Sequence, residues 1–212
     1  MDYKPSDLLI GIVDFFAILL PGALLSLLCL DVAHTHIFNG SVLPEIKGDA
    51  QGWLAFLFSS YLVGHFIFLL GSHLDSIYDS TYRKYKVRRG HKILDFVIEA
   101  KERQLGEGNE NMVNAYKWAR TYVQLRSPEA GAEISRLEAD SKFFRSLIIV
   151  LLIVCIVLLF KSFWIQAAFC FLLVLISFWR YFEQRWKFTI LAYQYFVALL
   201  KLPVEERRPS GN

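Results

Sequence analysis

The sequence contains few of the patterns from which catalytic and metal-binding sites are commonly built. Only three cysteines occur in 212 residues, all inside apolar stretches, so neither a disulfide framework nor a cysteine-based metal site is indicated. The glycine-rich phosphate loop and the motifs GxSxG and HExxH are missing. The formal net charge of +3 is too small to indicate nucleic-acid binding. We therefore expect no catalytic residue, no metal and no cofactor, and a protein that is not an enzyme.

Long apolar stretches, in contrast, are abundant. Apolar residues make up 55% of the chain, against about 45–50% in an average soluble domain. They are concentrated in four stretches, and each is interpreted as a membrane-spanning helix. The stretches run from about Leu8 to Leu30, from about Trp53 to Ser72, over a run containing Leu147–Phe160, and over a run containing Phe163–Trp179.

The third and fourth stretches are separated only by Lys161 and Ser162, which predicts a tight helical hairpin. The strictly apolar core of the third stretch has 14 residues, fewer than the roughly 20 that a span needs. We expect it to reach full length by including Phe143 and Phe144. The Arg145 side chain would then extend back to the lipid headgroups.

The distribution of Lys and Arg predicts the orientation in the membrane. The segment from His73 to Arg145 carries 14 of them and the tail from Arg180 carries six, whereas each of the other two connections between spans carries one. Because positive residues stay cytoplasmic, both termini and the long middle segment are predicted to be inside. The fold class expected is an all-α integral membrane protein with four transmembrane helices, a cytoplasmic helical extension between helices 2 and 3, and a cytoplasmic C-terminal helix.

These boundaries divide the chain into four parts. They are residues 1–73 with the first two transmembrane helices and a short external loop, 74–145 with the cytoplasmic helical region, 146–180 with the transmembrane hairpin, and 181–212 with the C-terminal helix and a disordered tail.

The cytoplasmic region is predicted to be helical. A helix leaves the membrane and continues to about Leu105, and a second covers about Met112–Arg126. Ser127 then provides an N-cap, followed by Pro128 and Glu129 in the first turn, which is a strong start signal. Nothing interrupts the pattern before Phe160, so one helix is predicted from Pro128 to Phe160.

The segment after Arg180, "RYFEQRWKFTILAYQYFVALLKL", allows two interpretations. It either extends the fourth span and packs on the cytoplasmic helices, or lies in the membrane interface as an amphipathic segment. Its apolar residues are distributed all round the helix, which favours packing.

Asp14 and His65 are the ionisable residues predicted to lie deepest in the spans. Each lies about 10–12 Å from the cytoplasmic edge, in neighbouring antiparallel helices. We therefore expect an intramembrane polar pair. Such groups are candidates for gating or proton sensing, and the alternative is a purely structural hydrogen bond between the two helices.

Small residues form stripes along the first two spans, which is typical of faces where helix backbones approach closely. Pro21-Gly22 is expected to kink the first span. The sequence leaves open whether the close contact lies within one chain or between subunits. The helix-packing residues are Gly11, Gly22, Ser26, Ser60, Gly64 and Gly71.

Gly71, Asp75 and Asp79 are spaced four apart and resemble the second half of the signature of the CDP-alcohol phosphotransferases, in which such carboxylates bind metal. The first half of that signature needs further aspartates upstream, where this sequence has "FLFSSYLVG" with no acid. Half a metal site cannot hold the cations, so this reading is rejected. The two aspartates are expected instead to cap the membrane exit and to pair with the basic residues that follow.

Those basic residues form a cluster just after the second span. Their position predicts contact with anionic lipid of the cytoplasmic leaflet, worth roughly 1 kcal/mol for each residue. The alternative is pairing with the acids of neighbouring helices: Glu129, Glu133, Glu138 and Asp140. The basic cluster consists of Arg83, Lys84, Lys86, Arg88, Arg89 and Lys92.

The predicted architecture resembles that of the small four-span membrane subunits of bacterial antiphage systems, the Kiwa-type membrane component among them. It consists of two spans, then the segment "YRKYKVRRGHK" with cytosolic helices, then the hairpin that contains "LLFKSFW". The resemblance covers architecture and no residue motif. It implies a homo-oligomer in the inner membrane that senses membrane perturbation and docks a cytosolic effector protein.

Two other functions remain as alternatives. A homo-oligomeric pore, conducting ions or permeabilising the membrane, would use the small-residue stripes together with Asp14, His65 and Gln166. A lipid-modifying enzyme would depend on Asp75 and Asp79 alone.

Overall fold

The structure, a computed structural model, describes residues 15–36, 50–88, 92–106 and 113–201, and these are about 95% helical with no strand among them. The all-α class predicted from the sequence is confirmed for this part of the chain. In chain order the helices are α1 (Leu20–His36), α2 (Ala50–Tyr78), α3 (Lys84–Arg88), α4 (Lys92–Leu105), α5 (Ala115–Arg126), α6 (Pro128–Phe160) and α7 (Trp164–Lys201). Wide π-helical turns, Phe15–Leu19 and Asp79–Arg83, precede α1 and α3.

Three helices are long and apolar enough to cross a membrane. They are α2 with its continuation to Val87, α6, and α7. The first predicted span is represented by a shorter apolar segment, Ala17–Leu28, because its residues before Phe15 lie outside the described part of the chain.

The irregular start of α1 has a local cause. Pro21 has no backbone N–H to donate to the carbonyl four residues earlier, and the π-helical turn lies directly before it. That carbonyl, on Ala17, accepts a hydrogen bond from the Ser146 hydroxyl at 3.0 Å. The proline therefore gives α6 a fixed attachment to the beginning of α1.

The α6 helix begins as predicted. The Ser127 side chain accepts a hydrogen bond from the Ala130 amide at 3.4 Å, and Pro128 occupies the first turn. The helix then continues without a break for 33 residues, about 50 Å. Lys161 and Ser162 form the short turn into α7, and Ser162 has a left-handed backbone with φ of 61°. The predicted hairpin is confirmed.

The α7 helix has 38 residues and is unbroken through Arg180. The segment after residue 180 is therefore the second half of α7, which extends the fourth apolar stretch as the favoured interpretation expected. This half packs on α4, α5 and α6, which confirms the packing alternative for the tail. The buried residues of the resulting core are Val97, Ala119, Val123, Ile134, Ala192, Tyr193 and Phe196.

A second core lies further along the hairpin, where α2 joins α6 and α7. Its buried residues are Leu74, Tyr78, Ile148, Val174 and Tyr181. Helices α6 and α7 contribute buried residues to both cores and so connect them. Polar residues cluster where the two cores meet.

Candidate functional site

Asp75 is the centre of a polar cluster that joins three helices. Its Oδ2 accepts a hydrogen bond from Nη1 of Arg145 on α6 at 2.7 Å. Its Oδ1 accepts one from the hydroxyl of Tyr181 on α7 at 2.6 Å and another from Nη1 of Arg185, one turn further along α7. A single carboxylate on α2 thus holds both helices of the hairpin.

Arg145 is almost fully buried, with 5% of its surface exposed. Its guanidinium lies over the Phe68 ring at 4.3 Å, and Gly71 leaves room for its side chain, since a Cβ atom there would come within 3.2 Å of Arg145 Cγ. The expectation that Arg145 extends to the lipid headgroups is wrong, because burial of its charge is compensated by Asp75 and by the aromatic ring. Its Nε–H and Nη2–H groups are buried and have no hydrogen-bond partner.

Asp79 extends the cluster by one turn. It forms an ion pair with Arg83 at 3.5 Å and a longer one with Arg185 at 3.8 Å, while the Arg185 guanidinium lies 4.8 Å from the Tyr78 ring centre. The expected pairing of the aspartates with the following basic residues therefore holds for Asp79. It is wrong for Asp75, whose partners are on α6 and α7.

A cavity of about 290 Å³ opens beside this cluster, between α2, α5, α6 and α7. Three carboxylates line it, those of Asp75, Asp79 and Glu138. Five cationic side chains also line it: Arg83, Lys117, Lys142, Arg145 and Arg185. The wall of the cavity thus carries an excess of positive charge.

Tyr116 forms the α5 side of the cavity. Asn114 caps α5 by accepting a hydrogen bond from the Tyr116 amide at 2.9 Å, which fixes the start of the helix. The Tyr116 hydroxyl is buried and has no hydrogen-bond partner. Burial, with the nearby Glu138 carboxylate adding to it, raises the pKa of this phenol well above its usual value, so the group is a neutral hydrogen-bond donor at physiological pH.

Glu138 is the acid on the opposite side of the cavity. It forms ion pairs with Arg120 of α5 at 2.9 Å and with Lys142 of α6 at 3.0 Å. Every carboxylate of the cavity wall therefore has a cationic partner. A metal ion would have to compete with those cations, so the site does not suit a metal-dependent lipid-modifying reaction.

His65 lies on an exposed face of α2, and its ring packs edge-on against the Tyr61 ring at 4.5 Å between centroids. Asp14 lies outside the described residues, so the proposed Asp14–His65 pair stays a prediction.

The small residues pack α1 against α2 within one chain. A Cβ atom at Gly22 would overlap the Ser60 carbonyl oxygen and lie 2.7 Å from the Gly64 amide nitrogen. A Cβ at Gly64 would overlap the carbonyl oxygen of Ile18. Of the other predicted packing residues, Gly71 adjoins Arg145, Ser26 is half-buried, and Gly11 lies outside the described residues.

The residues of the basic cluster after the second predicted span lie in different environments. Arg83 lines the cavity, Lys86 lies over the Tyr82 ring at 5.4 Å, and Lys84 and Lys92 are exposed. The Arg88 side chain and Arg89 lie outside the described part. Within the described residues, no ion pair joins this cluster to Glu129, Glu133, Glu138 or Asp140, and contact of the cluster with lipid stays a prediction.

The sequence interpretation missed the role of Arg145, Tyr181 and Arg185. A usable signal existed, because Arg145 is a charge at the start of an apolar run, and the predicted spans put it at a depth close to that of Asp75.

Comparison of the chain with protein-family models, with curated proteins and with solved structures finds no match. Its function has to be inferred from the contacts of its own residues.

Proposed function

We propose that the protein is a non-enzymatic, four-span membrane protein that couples the bilayer to a cytosolic helical module. The observation that carries this proposal is the continuity of α6 and α7, each of which contributes to both hydrophobic cores without a break. A tilt or separation of the hairpin in the membrane would be transmitted along two rigid helices to α4 and α5.

The orientation follows from charge. The excess of Lys and Arg between the second and third spans and in the tail supports a cytoplasmic position for the α4–α5 module and both termini. The membrane would be a bacterial inner membrane, as the resemblance to antiphage membrane subunits implies. Lys84, Lys86 and Lys92 would then face the anionic lipids of the inner leaflet.

The Asp75 cluster would hold the resting arrangement, because it ties α2 to both helices of the hairpin at the level where they leave the membrane. A perturbed bilayer would strain this attachment. The resemblance to membrane subunits of antiphage systems suggests how the signal is used: by a homo-oligomer that recruits or releases a cytosolic effector protein.

The partner is tested by cross-linking in the native host, followed by purification in mild detergent and mass determination. We expect an oligomer of this chain with one cytosolic protein, which an unrelated four-span membrane protein carrying the same tag does not retain. Recovery of an oligomer without any cytosolic protein would contradict the proposal that the protein binds an effector.

The mechanical part is tested in lipid nanodiscs of different acyl-chain length. Spin labels at Leu125, which is 80% exposed on α5, and at Ser162 in the hairpin turn report the distance between module and turn. We expect a bimodal or shifted distance distribution in the thinner bilayer. Identical distributions in both bilayers would contradict the coupling.

A pore made of several copies is the second candidate, favoured by one observation. His65 is exposed among large apolar side chains of α2, such as Leu62 and Phe66, where another copy of the chain could provide a polar partner within the bilayer. This candidate predicts conductance in planar bilayers that His65→Leu abolishes and that replacement of the exposed Ser59 by Ala leaves unchanged.

A further inference from the structure

The cavity beside Asp75 is lined by more cationic than acidic side chains. We propose that it binds a phosphate group, carried by an anionic lipid or by a small soluble phosphate compound. The proposal rests on the geometry of the cavity and is independent of the coupling function.

The size of the cavity suits a small polar group. Its volume of about 290 Å³ is at the lower end of the range of small-molecule sites, which begins at about 300 Å³. It is bounded by side chains from α2, α5, α6 and α7, so a ligand there would contact all of the elements that meet at the junction.

The charges of the wall favour an anion over a cation. Five cationic side chains and three carboxylates line the cavity. The carboxylates are already neutralised, Asp75 by Arg145 and Arg185, and Glu138 by Lys142 at 3.0 Å. The surplus positive charge has no counterpart in the wall.

Two buried groups at the cavity lack the partners that buried polar groups normally have. Arg145 uses Nη1 for Asp75, while its Nε–H and Nη2–H donors are unpartnered in a side chain that is 6% exposed. The Tyr116 hydroxyl is also buried and unpartnered. Both residues line the cavity, although these donor atoms are closed off from it and their side chains would have to turn towards a ligand. Phosphate oxygens accept several hydrogen bonds at once, and the planar guanidinium matches their geometry, so a phosphate group offers acceptors to both residues.

The position of the cavity determines which sources of phosphate are relevant. It lies where the apolar part of α2 ends, next to Asp79 and Arg83, at the predicted boundary between lipid and cytosol. The phosphodiester of a lipid headgroup and a phosphate monoester from the cytosol can both reach this level, and both present the same oxygens.

The experiment uses the full chain in nanodiscs and two probes. The first is inorganic phosphate, with binding followed by calorimetry in phosphatidylcholine nanodiscs. The second is phosphatidylglycerol mixed into phosphatidylcholine, with the lipids retained by the protein identified by native mass spectrometry. Binding of phosphate in the first arm indicates a soluble source, and retention of phosphatidylglycerol alone indicates a lipid source.

Variants connect either signal to the cavity. Tyr116→Phe removes one oxygen from an intact core and is expected to weaken binding roughly tenfold, the effect of one hydrogen bond to a charged group. Arg145→Lys keeps the charge beside Asp75 but removes the unpartnered donors, and is expected to weaken binding further. Arg136→Gln removes an exposed charge from α6 that does not line the cavity, and should leave binding unchanged.

The proposal is overturned if the parent protein binds neither probe. It is equally overturned if Tyr116→Phe binds as tightly as the parent, or if Arg136→Gln weakens binding as much as Tyr116→Phe, since binding would then reflect surface charge alone.

Discussion

At the scale of single residues, Asp75 determines how α2 is attached to the hairpin. Two arginines from different helices share its carboxylate, and Arg145 has hardly any access to water. Removing the acceptor from such a pair leaves buried positive charge uncompensated, which costs more than the pair itself contributes.

Asp75→Asn should therefore destabilise the protein strongly. We expect a loss of about 3–5 kcal/mol in the free energy of unfolding, measured as a lowered thermal midpoint in detergent. Asp95→Asn, which makes the same change at an exposed position of α4, should stay within about 0.5 kcal/mol of the parent. Equal midpoints for the two variants would show that the cluster does not hold the helices together.

Glycine substitutions on α2 should show where the helix packs against a backbone and where it packs against a movable side chain. In Gly64→Ala the new methyl group meets the backbone of Ile18, which cannot move aside, so we expect a loss of about 1–3 kcal/mol or more. In Gly71→Ala it meets the side chain of Arg145 at 3.2 Å, which can shift. Thermal midpoints should thus fall further for Gly64→Ala, and the reverse order would contradict the packing of α1 on α2.

The residue-scale predictions from sequence were good where the information is local. Spacing alone indicated that Gly22, Ser60 and Gly64 are suited to close packing. The contacts of Asp75 with Arg145 and Arg185 are harder to predict, because they join residues 70 and 110 positions apart and depend on how the helices pack.

At the scale of helices, the sequence predicted well where long helices begin and end, and less well where the helical geometry is irregular. The Ser127 cap and the Lys161-Ser162 turn are local signals, and they gave the correct bounds of α6 and the start of α7. The π-helical turn Asp79–Arg83 carries no such signal, since its residues are compatible with an ordinary helix.

The second half of α7 should be held in place by its core contacts. Phe196 is fully buried against Trp118 and Tyr122, so Phe196→Ala should cost about 3–5 kcal/mol. Hydrogen exchange should show faster exchange over residues 188–200, with the first, apolar half of α7 unchanged. Leu125→Ala, at an exposed position of α5, serves as the control and should change neither region.

At the scale of the whole molecule, three of the described helices are long and apolar enough to cross a membrane, while the direction that we propose for the chain in the membrane rests on charge alone. Composition was sufficient for the first conclusion because spans are long and apolar. Function was not predictable to the same degree, since it depends on partners whose contact surfaces leave no pattern in a single sequence.

Cysteine labelling from outside the cell tests the direction. In a background with Cys29, Cys155 and Cys170 changed to Ala, Ser162→Cys should react with a membrane-impermeant maleimide in intact spheroplasts. Leu125→Cys should react only after the membrane is permeabilised. Labelling of Leu125→Cys in intact spheroplasts would show that α5 lies outside the cell and would contradict the proposed topology.

The short turn between α6 and α7 also affects how the protein is synthesised. Between Arg145 and Arg180 the only charged residue in the chain is Lys161, and it lies at the tip of the turn. Because only a short turn connects the two helices, we expect them to enter the bilayer together. We expect the membrane insertion machinery to accept this half of the chain as one looped unit, so that a nascent chain released before α7 has emerged would leave α6 without its neighbour and exposed to degradation.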